Sequence, residues 1–292
     1  MTLSGIRRPT EGDREARGAV QVLDRAVAIL EAISSEDGMS LTAIAVRAGV
    51  APSTAHRILT SLEANGLITM SPERKLWFVG VRAFQIGNGF LRNRKIVEMG
   101  RPTMRALMEE TGETINLAIE DSGEIVYISQ AECHNAIRAF HRPGTRGPAH
   151  ASAMGKAILS GWSEAAVRRV LTRKPMDRFT ERTIVEIPAF LEALREVRER
   201  GWAIDDEERT DGMRCVAAPI RDEIGEVVAA ISISGPTVRF SHARLWELGP
   251  EVKGAAREIT HSIGGAIGGA IGGVAGGAAA SPQPIVGRPR IR

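Results

Sequence analysis

The segment LTAIAVRAGVAPSTAHRILTSLEANGLI, residues 41–68, most strongly limits what this chain can fold into, because it encodes two short helices joined by a very tight connection. Ser40 is suited to cap the first helix, which is expected to end at Gly49. Pro52 suits the first position of the second helix, since its fixed φ is helical and the N–H that it lacks would have no partner there. The second helix is expected to end at the C-cap pair Asn65–Gly66.

The second of these helices has two chemically different faces. Its apolar residues recur at three- and four-residue spacing and must face a core: Ala55, Ile58, Leu59 and Leu62. Short polar and cationic residues occupy the other side: Ser53, Thr54, His56, Arg57, Thr60 and Ser61. A solvated helix of an enzyme would more often carry Glu and Lys pairs there, although the helix taken by itself is also compatible with plain packing.

A predicted hairpin after the two helices favours a DNA-binding interpretation. LITM (67–70) and KLWFVG (75–80) are expected to be strands around the turn SPER. Helix, turn, helix and hairpin together predict a winged helix-turn-helix that binds double-stranded DNA. Base-edge contacts are expected from Ser53, Thr54, His56 and Arg57, and phosphate contacts from Arg57, Arg74 and Lys75.

The charge distribution agrees with this interpretation. Residues 1–95 carry 13 Lys and Arg against 9 Asp and Glu, a net charge of +4, whereas the rest of the chain carries 25 against 26, a net charge of −1. A mildly basic front half is typical of a nucleic-acid module joined to a second module.

The cysteines and the two terminal segments indicate in which cellular compartment the protein is expected. Cys133 and Cys215 have no metal-site or disulfide spacing, which predicts a reducing cytoplasm and no metal. Residues 1–18 lack the apolar core of a signal peptide. The uncharged segment 262–280 is more than half Gly and Ala, too little apolar surface for stable membrane insertion.

The remaining sequence predicts an α+β protein. The apolar runs ETINLAIE, EIVYISQAE and NAIRAFHR, followed by helical segments and the β-rich runs CVAAPIRD and EVVAAISIS, indicate helices with a mainly antiparallel sheet. The predicted organisation is a flexible arm (1–18), a winged helix-turn-helix domain (19–80), a linker helix (81–95), a second domain (96–263) and a Gly-rich flexible tail (264–292).

Three segments of the second domain suggest a site for a small anion. HASAMGKA (150–157) places small residues and a glycine at the start of a helix, where free N–H groups bind carboxylates. DDEERTDGMRC (205–215) places acids and a thiol on a predicted loop before a strand. Ser232 and Ser234 share one face of a strand. The thiol is equally compatible with a structural role, and the serines with simple packing.

Several of these motifs resemble the IclR family of bacterial transcription regulators. The resemblance is carried by VQVLDRAVAILEAI, LTAIAVRAGVAPSTAHRILTSLEANGLI, TGETINLAIEDSGEIVYI, GTRGPAHASAMGKAIL and RERGWAIDDEERTDGMRCVAAPIRD, and it extends over about residues 20–262. It implies a GAF-like effector-binding domain behind the winged helix, and a homodimer or homotetramer that reads a pseudo-palindromic operator.

The resemblance also implies the effector ligands. In members that bind glyoxylate or pyruvate, two backbone amides, an Asp, a Cys and two Ser hold the ligand; here these are Ala153, Met154, Asp205, Cys215, Ser232 and Ser234. Asp206 competes for the acid role, and Ile137, Arg138 and Phe140 are expected at the mouth of the site. The sequence is most similar to the glyoxylate-responsive branch, which implies genes of glyoxylate and glycolate assimilation; pyruvate or an aromatic acid is the alternative effector. No cofactor is expected.

Two other classes of protein are alternatives to a regulator. An enzyme could use Cys215 with His141, His150 or Asp205, but GxSxG, P-loop, HExxH and GxGxxG signatures are all missing from the sequence. An architectural DNA-binding protein binds no small ligand, so the matched set of polar effector ligands argues against this class. The sequence therefore predicts a regulator and not an enzyme.

Overall fold

The computed structural model describes residues 20–92, 95–139 and 141–265, which fall into two compact units that divide between Lys95 and Ile96. The predicted arm, Phe140 and all of the predicted Gly-rich tail beyond residue 265 lie outside the described residues. Among the described residues, no helix is long and apolar enough to cross a membrane.

The first unit is a three-helix core followed by a hairpin and a further helix. Its elements are α1 (Gln21–Ser34), α2 (Leu41–Ala48), α3 (Pro52–Ala64), β1 (Ile68–Ser71), β2 (Leu76–Val79) and α4 (Val81–Arg92). The core closes around Ile29, Ile44 and Leu59, which are fully buried. Val22 and Leu23, near the start of α1, are 62% and 64% exposed, because the core covers only the C-terminal half of that helix.

Local signals fix the helix-turn-helix as the sequence predicts. The Ser40 hydroxyl accepts a hydrogen bond from the Ala43 N–H at 3.3 Å. Gly49 ends α2 with φ at 64°, a conformation that favours glycine. Pro52 opens α3. Met39 pairs with Trp77, so the chain before α2 adds a bridge to the β1–β2 hairpin.

The second unit is built on one six-stranded sheet with helices packed against it. Its elements are α5 (Lys95–Thr111), β3 (Thr114–Asp121), β4 (Glu124–Ala131), β5 (Arg146–Pro148), α6 (Ala153–Leu159), α7 (Glu164–Arg173), α8 (Ile187–Arg200), β6 (Ala203–Asp206), β7 (Met213–Arg221), β8 (Val227–Pro236) and α9 (His242–Ser262). The strand order is β5-β4-β3-β8-β7-β6 with every pair antiparallel. The α+β prediction with an antiparallel sheet is confirmed.

The two edge strands differ from the sequence prediction. In the segment 135–142, which was expected to continue the sheet, the described residues form no strand, and the short β5 pairs with β4 in their place. Asp205 and Asp206, expected on a loop, lie on β6, where they pair with Cys215 and Arg214 of β7. Both edge strands have at most four residues, too few for a two-residue periodicity to be visible.

Helices cover the sheet and set the position of the site. α6 is buried along its whole length and packs against β6, β7 and β8, where Met154 joins a core cluster with Ala217 and Ala230. α9 also packs against β7 and β8. Since neighbouring strand residues point to opposite faces, every side chain on the Ala217 face of the sheet lies on the same side as α6.

Candidate functional sites

The outer face of α3 presents the residues expected to contact DNA. Ser53, His56 and Arg57 are exposed and Thr54 is half-buried, whereas the four apolar residues of the helix are buried. The one acid of α3, Glu63, accepts a hydrogen bond from the Met70 N–H at 3.3 Å. That bond ties α3 to β1, and the polar side of the helix carries no other acid.

The hairpin turn presents two further cations in the same unit. Arg74 and Lys75 are exposed in the turn between β1 and β2. The Ser71 carbonyl accepts from the Lys75 N–H at 2.8 Å, and the Ser71 hydroxyl accepts from the Arg74 N–H at 3.4 Å. Lys75 has φ at 53°, so this residue completes the turn. The sequence predicted that Lys75 would start the second strand, whereas β2 begins at Leu76. A turn held in this way can offer both cations to phosphate groups.

In the second unit, strand register brings four of the expected effector ligands into one row. Asp205 of β6 lies beside Cys215 of β7, and Cys215 lies beside Ser234 of β8. Ser232 follows two residues away on the same face, with 3.5 Å between the two hydroxyl oxygens. Asp205, Ser232 and Ser234 are buried and Cys215 is half-buried. We call these four residues the polar row.

Two side-chain amides, one buried and one half-buried, extend the polar row and were not anticipated from the sequence. The Asn116 side chain donates to the Ser234 hydroxyl at 3.3 Å, and Gln130 donates to the Asn116 carbonyl oxygen at 2.8 Å. Asn116 is fully buried on β3 beside Ser232. An Asn within the apolar run TINLAI was the available signal, because a buried amide must find partners.

The first amides of α6 belong to the same face. Ser152 caps the helix by accepting from the Gly155 N–H at 3.0 Å. The first intrahelical bond runs from the Lys156 N–H to the Ser152 carbonyl, so the amides of Ala153 and Met154 precede the helical ladder. A Cβ on Gly155 would lie 2.0 Å from the Ala149 carbonyl oxygen, so only glycine permits this start of the helix.

Burial of Asp205 in the polar row favours the protonated form of its carboxyl. Burial is the main cause that raises the pKa of Asp205 to about 7; Lys156 opposes this shift and Glu208 adds to it. The Glu208 N–H donates to the Asp205 carboxyl at 2.8 Å, and the Glu208 carboxylate forms a buried ion pair with Lys156. Asp206 is directed elsewhere, since it binds Arg214 at 2.5 Å and Arg182 at 2.6 Å.

The same electrostatics weaken the cysteine-nucleophile alternative. Desolvation raises the pKa of Cys215 to about 12, so the group is a thiol near neutral pH. Burial lowers the pKa of His141 to about 4, and this ring stacks on Tyr127 with 4.2 Å between centroids. The Nε2 atom of His150 forms a hydrogen bond with the Asp177 carbonyl oxygen at 3.0 Å. Neither imidazole hydrogen-bonds to Cys215 within the described part of the chain.

The structure describes two of the three residues expected at the mouth of the effector site. Ile137 is 69% exposed, and Arg138 is an exposed partner of Glu132. Phe140 falls outside the described residues. The loop that carries Ile137 is tied to the neighbouring turn, because Arg239 donates to the Ile137 carbonyl at 2.9 Å and pairs with Glu113.

Comparison with known proteins gives concordant matches over most of the chain. Residues 22–72 match the family described as IclR helix-turn-helix domain, and residues 88–261 match the family described as Bacterial transcriptional regulator IclR C-terminal. The HTH-type transcriptional regulator BhcR of Paracoccus denitrificans is 46% identical over 249 residues, which cover 85% of this chain and 89% of that protein.

Two further proteins extend this likeness. The Transcriptional repressor IclR of Escherichia coli is 40% identical over 262 residues, 89% of this chain and 96% of that protein. The crystal structure of the Thermotoga maritima IclR superposes with a TM-score of 0.71 at 29% identity, and covers 84% of this chain and all of that one. These curated relatives are named as transcriptional regulators and repressors, not as enzymes.

Proposed function

Because this chain belongs to the IclR family of bacterial transcriptional regulators, we propose that it binds a pseudo-palindromic operator in the cytoplasm and that a small 2-oxo acid, glyoxylate, controls this binding. The proposed target genes are those of glyoxylate and glycolate assimilation. Ligand binding in the second unit changes DNA affinity only to the extent that glyoxylate binds two states of the regulator with different affinity.

The proposed DNA contacts rest on the outer face of α3 and on the hairpin turn. Arg57 is exposed among short polar side chains, and Arg74 and Lys75 stand on the ordered turn. We assign phosphate contacts to these three cations. Base-edge contacts fall to Ser53, Thr54, His56 and Arg57, because short donors and a guanidinium suit the major groove.

A homo-oligomer is supported by apolar side chains that the first unit leaves exposed. They lie at the start of α1 and along α4: Val20, Leu23, Val27, Val81, Phe84 and Ile86. A second copy of the chain covering these side chains would bring two α3 helices to two operator half-sites. Analytical ultracentrifugation of the full chain would contradict this proposal if it showed only monomers.

The single observation that carries the effector assignment is the polar row beside the first amides of α6. It offers two hydroxyls, one thiol, two backbone amides and a carboxyl whose pKa is raised to about 7. Such a set can donate to a carboxylate and to an adjacent oxo oxygen.

Replacing Ser234 by alanine is expected to weaken glyoxylate binding about tenfold, because one hydroxyl donor is lost and the Asn116 amide loses its acceptor. Tryptophan fluorescence titration of wild type and variant measures this change. Ser129→Ala is the matched control: Ser129 lies on β4 opposite Leu117, so it faces away from Asn116 and the polar row. Saturable binding of pyruvate or benzoate in preference to glyoxylate would contradict the effector assignment, and no response to any of the three would remove it.

Glyoxylate binding is expected to weaken as the pH rises above about 7. Asp205 keeps its proton below its raised pKa of about 7, and above it a second negative charge opposes the effector carboxylate. A group that must take up a proton on binding changes the affinity by up to about tenfold per pH unit above that pKa. Calorimetric titration across this range measures the slope.

Asp205→Asn is the matched variant for this pH dependence. The amide imitates the protonated carboxyl, so the variant is expected to bind glyoxylate with an affinity that changes little with pH. An affinity that rises with pH in the wild type would show that Asp205 acts as an ionised acceptor, for example towards the hydrated aldehyde.

A further inference from the structure

Arg209 is a half-buried cation whose charge acts on Cys215 of the polar row. Its Nη1 atom is buried and has no hydrogen-bond partner among residues 20–92, 95–139 and 141–265. The two preceding acids are engaged with other cations, Glu208 with Lys156 and Glu207 with Arg214. A buried guanidinium nitrogen without a partner costs free energy, unless a ligand supplies the acceptor.

The guanidinium reaches from the loop after β6 to the opposite edge of the sheet. A Cβ on Gly147 of β5 would lie 2.0 Å from Nη1, so the absent side chain of this glycine leaves the space that Arg209 occupies. Gly147 lies two residues before Ala149, the residue against which Gly155 of α6 packs. The guanidinium is therefore close to the segment that starts α6.

The electrostatic neighbours of Arg209 place it on the face of the polar row. Its positive charge acts to lower the pKa of Cys215 on β7, of Tyr127 on β4 and of His141. Tyr127 pairs with Ala118 and shares a core cluster with Met154, so it points to the side of α6. The charge of Arg209 thus acts on groups of two strands and on a loop histidine at the same time.

The charges of this cluster do not cancel without a ligand. Lys156 and Glu208 neutralise each other as a buried pair. When Asp205 carries its proton, Arg209 leaves one net positive charge at the site. A single carboxylate supplies the missing negative charge and accepts charge-assisted hydrogen bonds from a guanidinium.

We propose that Arg209 binds the carboxylate of the effector and thereby selects a small carboxylic acid over a neutral analogue of the same size. This inference rests on the proposed effector function and adds a ligand to it. The polar row and the first amides of α6 then hydrogen-bond to the oxo group and to the remaining carboxylate oxygen.

The test compares three acids with their neutral amides by calorimetric titration of the full chain. Glyoxylate, pyruvate and benzoate are each measured against the corresponding primary amide. Arg209→Met removes the charge but keeps a similar side-chain length. Gly147→Ala keeps the charge but pushes the guanidinium out of its place, and the backbone at Gly147 tolerates alanine because its φ is not positive. Arg168→Met, on the exposed side of α7, is the control.

Wild type and Arg168→Met are expected to prefer the acid over the amide by about ten- to a hundredfold. Both Arg209→Met and Gly147→Ala are expected to lose most of that preference while still binding the amide. If the protein does not bind glyoxylate but both variants lose the preference for pyruvate or benzoate over its amide, the role of Arg209 in binding the carboxylate is supported. Glyoxylate would then be excluded as the effector. A glyoxylate preference unchanged in both variants would overturn the role of Arg209 and leave the proposed function standing. Binding of none of the three acids would overturn both.

Discussion

Arg57→Glu is expected to lower operator affinity about a hundredfold or more while leaving the fold intact. Arg57 is exposed on the outer face of α3, and the residues that hold α3 in the core lie on the other side. The change removes a contact worth about 1–3 kcal/mol and adds a negative charge opposite phosphates. Fluorescence anisotropy with a labelled operator measures the loss, and circular dichroism checks the fold.

The control for this variant has the same change in charge at a position outside the DNA-binding unit. Arg173→Glu lies at the exposed end of α7 in the second unit and is expected to retain operator affinity within about threefold. The dependence of binding on salt should also become shallower for Arg57→Glu, because fewer phosphate counterions are released. Equal losses in both variants would indicate a nonspecific effect of net charge and would contradict the assignment of α3.

Gly155→Ala is expected to destabilise the second unit by about 2–4 kcal/mol and to abolish the response to glyoxylate. The added Cβ would lie 2.0 Å from the carbonyl oxygen of Ala149 and 2.5 Å from its Cα, and backbone cannot move aside cheaply. Relief of the clash has to shift the start of α6, including the amides of Ala153 and Met154. Thermal unfolding should show the transition of this unit lowered by about 10 °C.

Gly254→Ala provides the matched control for this prediction. Gly254 lies within α9 with no atom within 4 Å of the position of an added Cβ. Alanine in a helix interior is favoured over glycine by about 1 kcal/mol, so this variant should be as stable as wild type or slightly more stable. A Gly155→Ala protein with unchanged stability and glyoxylate response would contradict the packing described for α6.

The first unit was predictable because its signals are local. Ser40, Gly49 and Pro52 each fix the geometry of the backbone where they stand, and the apolar spacing of α3 identifies its buried face. Apolar residues at helical spacing on α1 also include Val22 and Leu23, which are exposed. Periodicity shows which residues share a face, but it does not show how far along the helix the partner helices reach.

The sequence indicated a small-anion site on these segments, but only the family resemblance indicated which of their residues form the polar row, since its geometry depends on strand register. Asp205, Cys215 and Ser234 are far apart in sequence and become neighbours through the pairing of β6, β7 and β8. Asn116 and Gln130 join through β3 and β4. The missing hydrogen-bond partner of the Arg209 Nη1 atom could not be predicted from the sequence, because there Arg209 is one charge within a strongly charged loop.

The most direct test of the proposed function is a mobility shift of a fluorescent fragment that carries the promoter region beside the gene of this protein, with and without millimolar glyoxylate. Wild type is expected to shift the fragment, glyoxylate is expected to alter that shift more than pyruvate or benzoate does, and Ser234→Ala should blunt the effect of glyoxylate. A shift that no small acid changes would contradict the effector assignment, and a fragment that the protein does not shift would contradict its regulation of the adjacent genes.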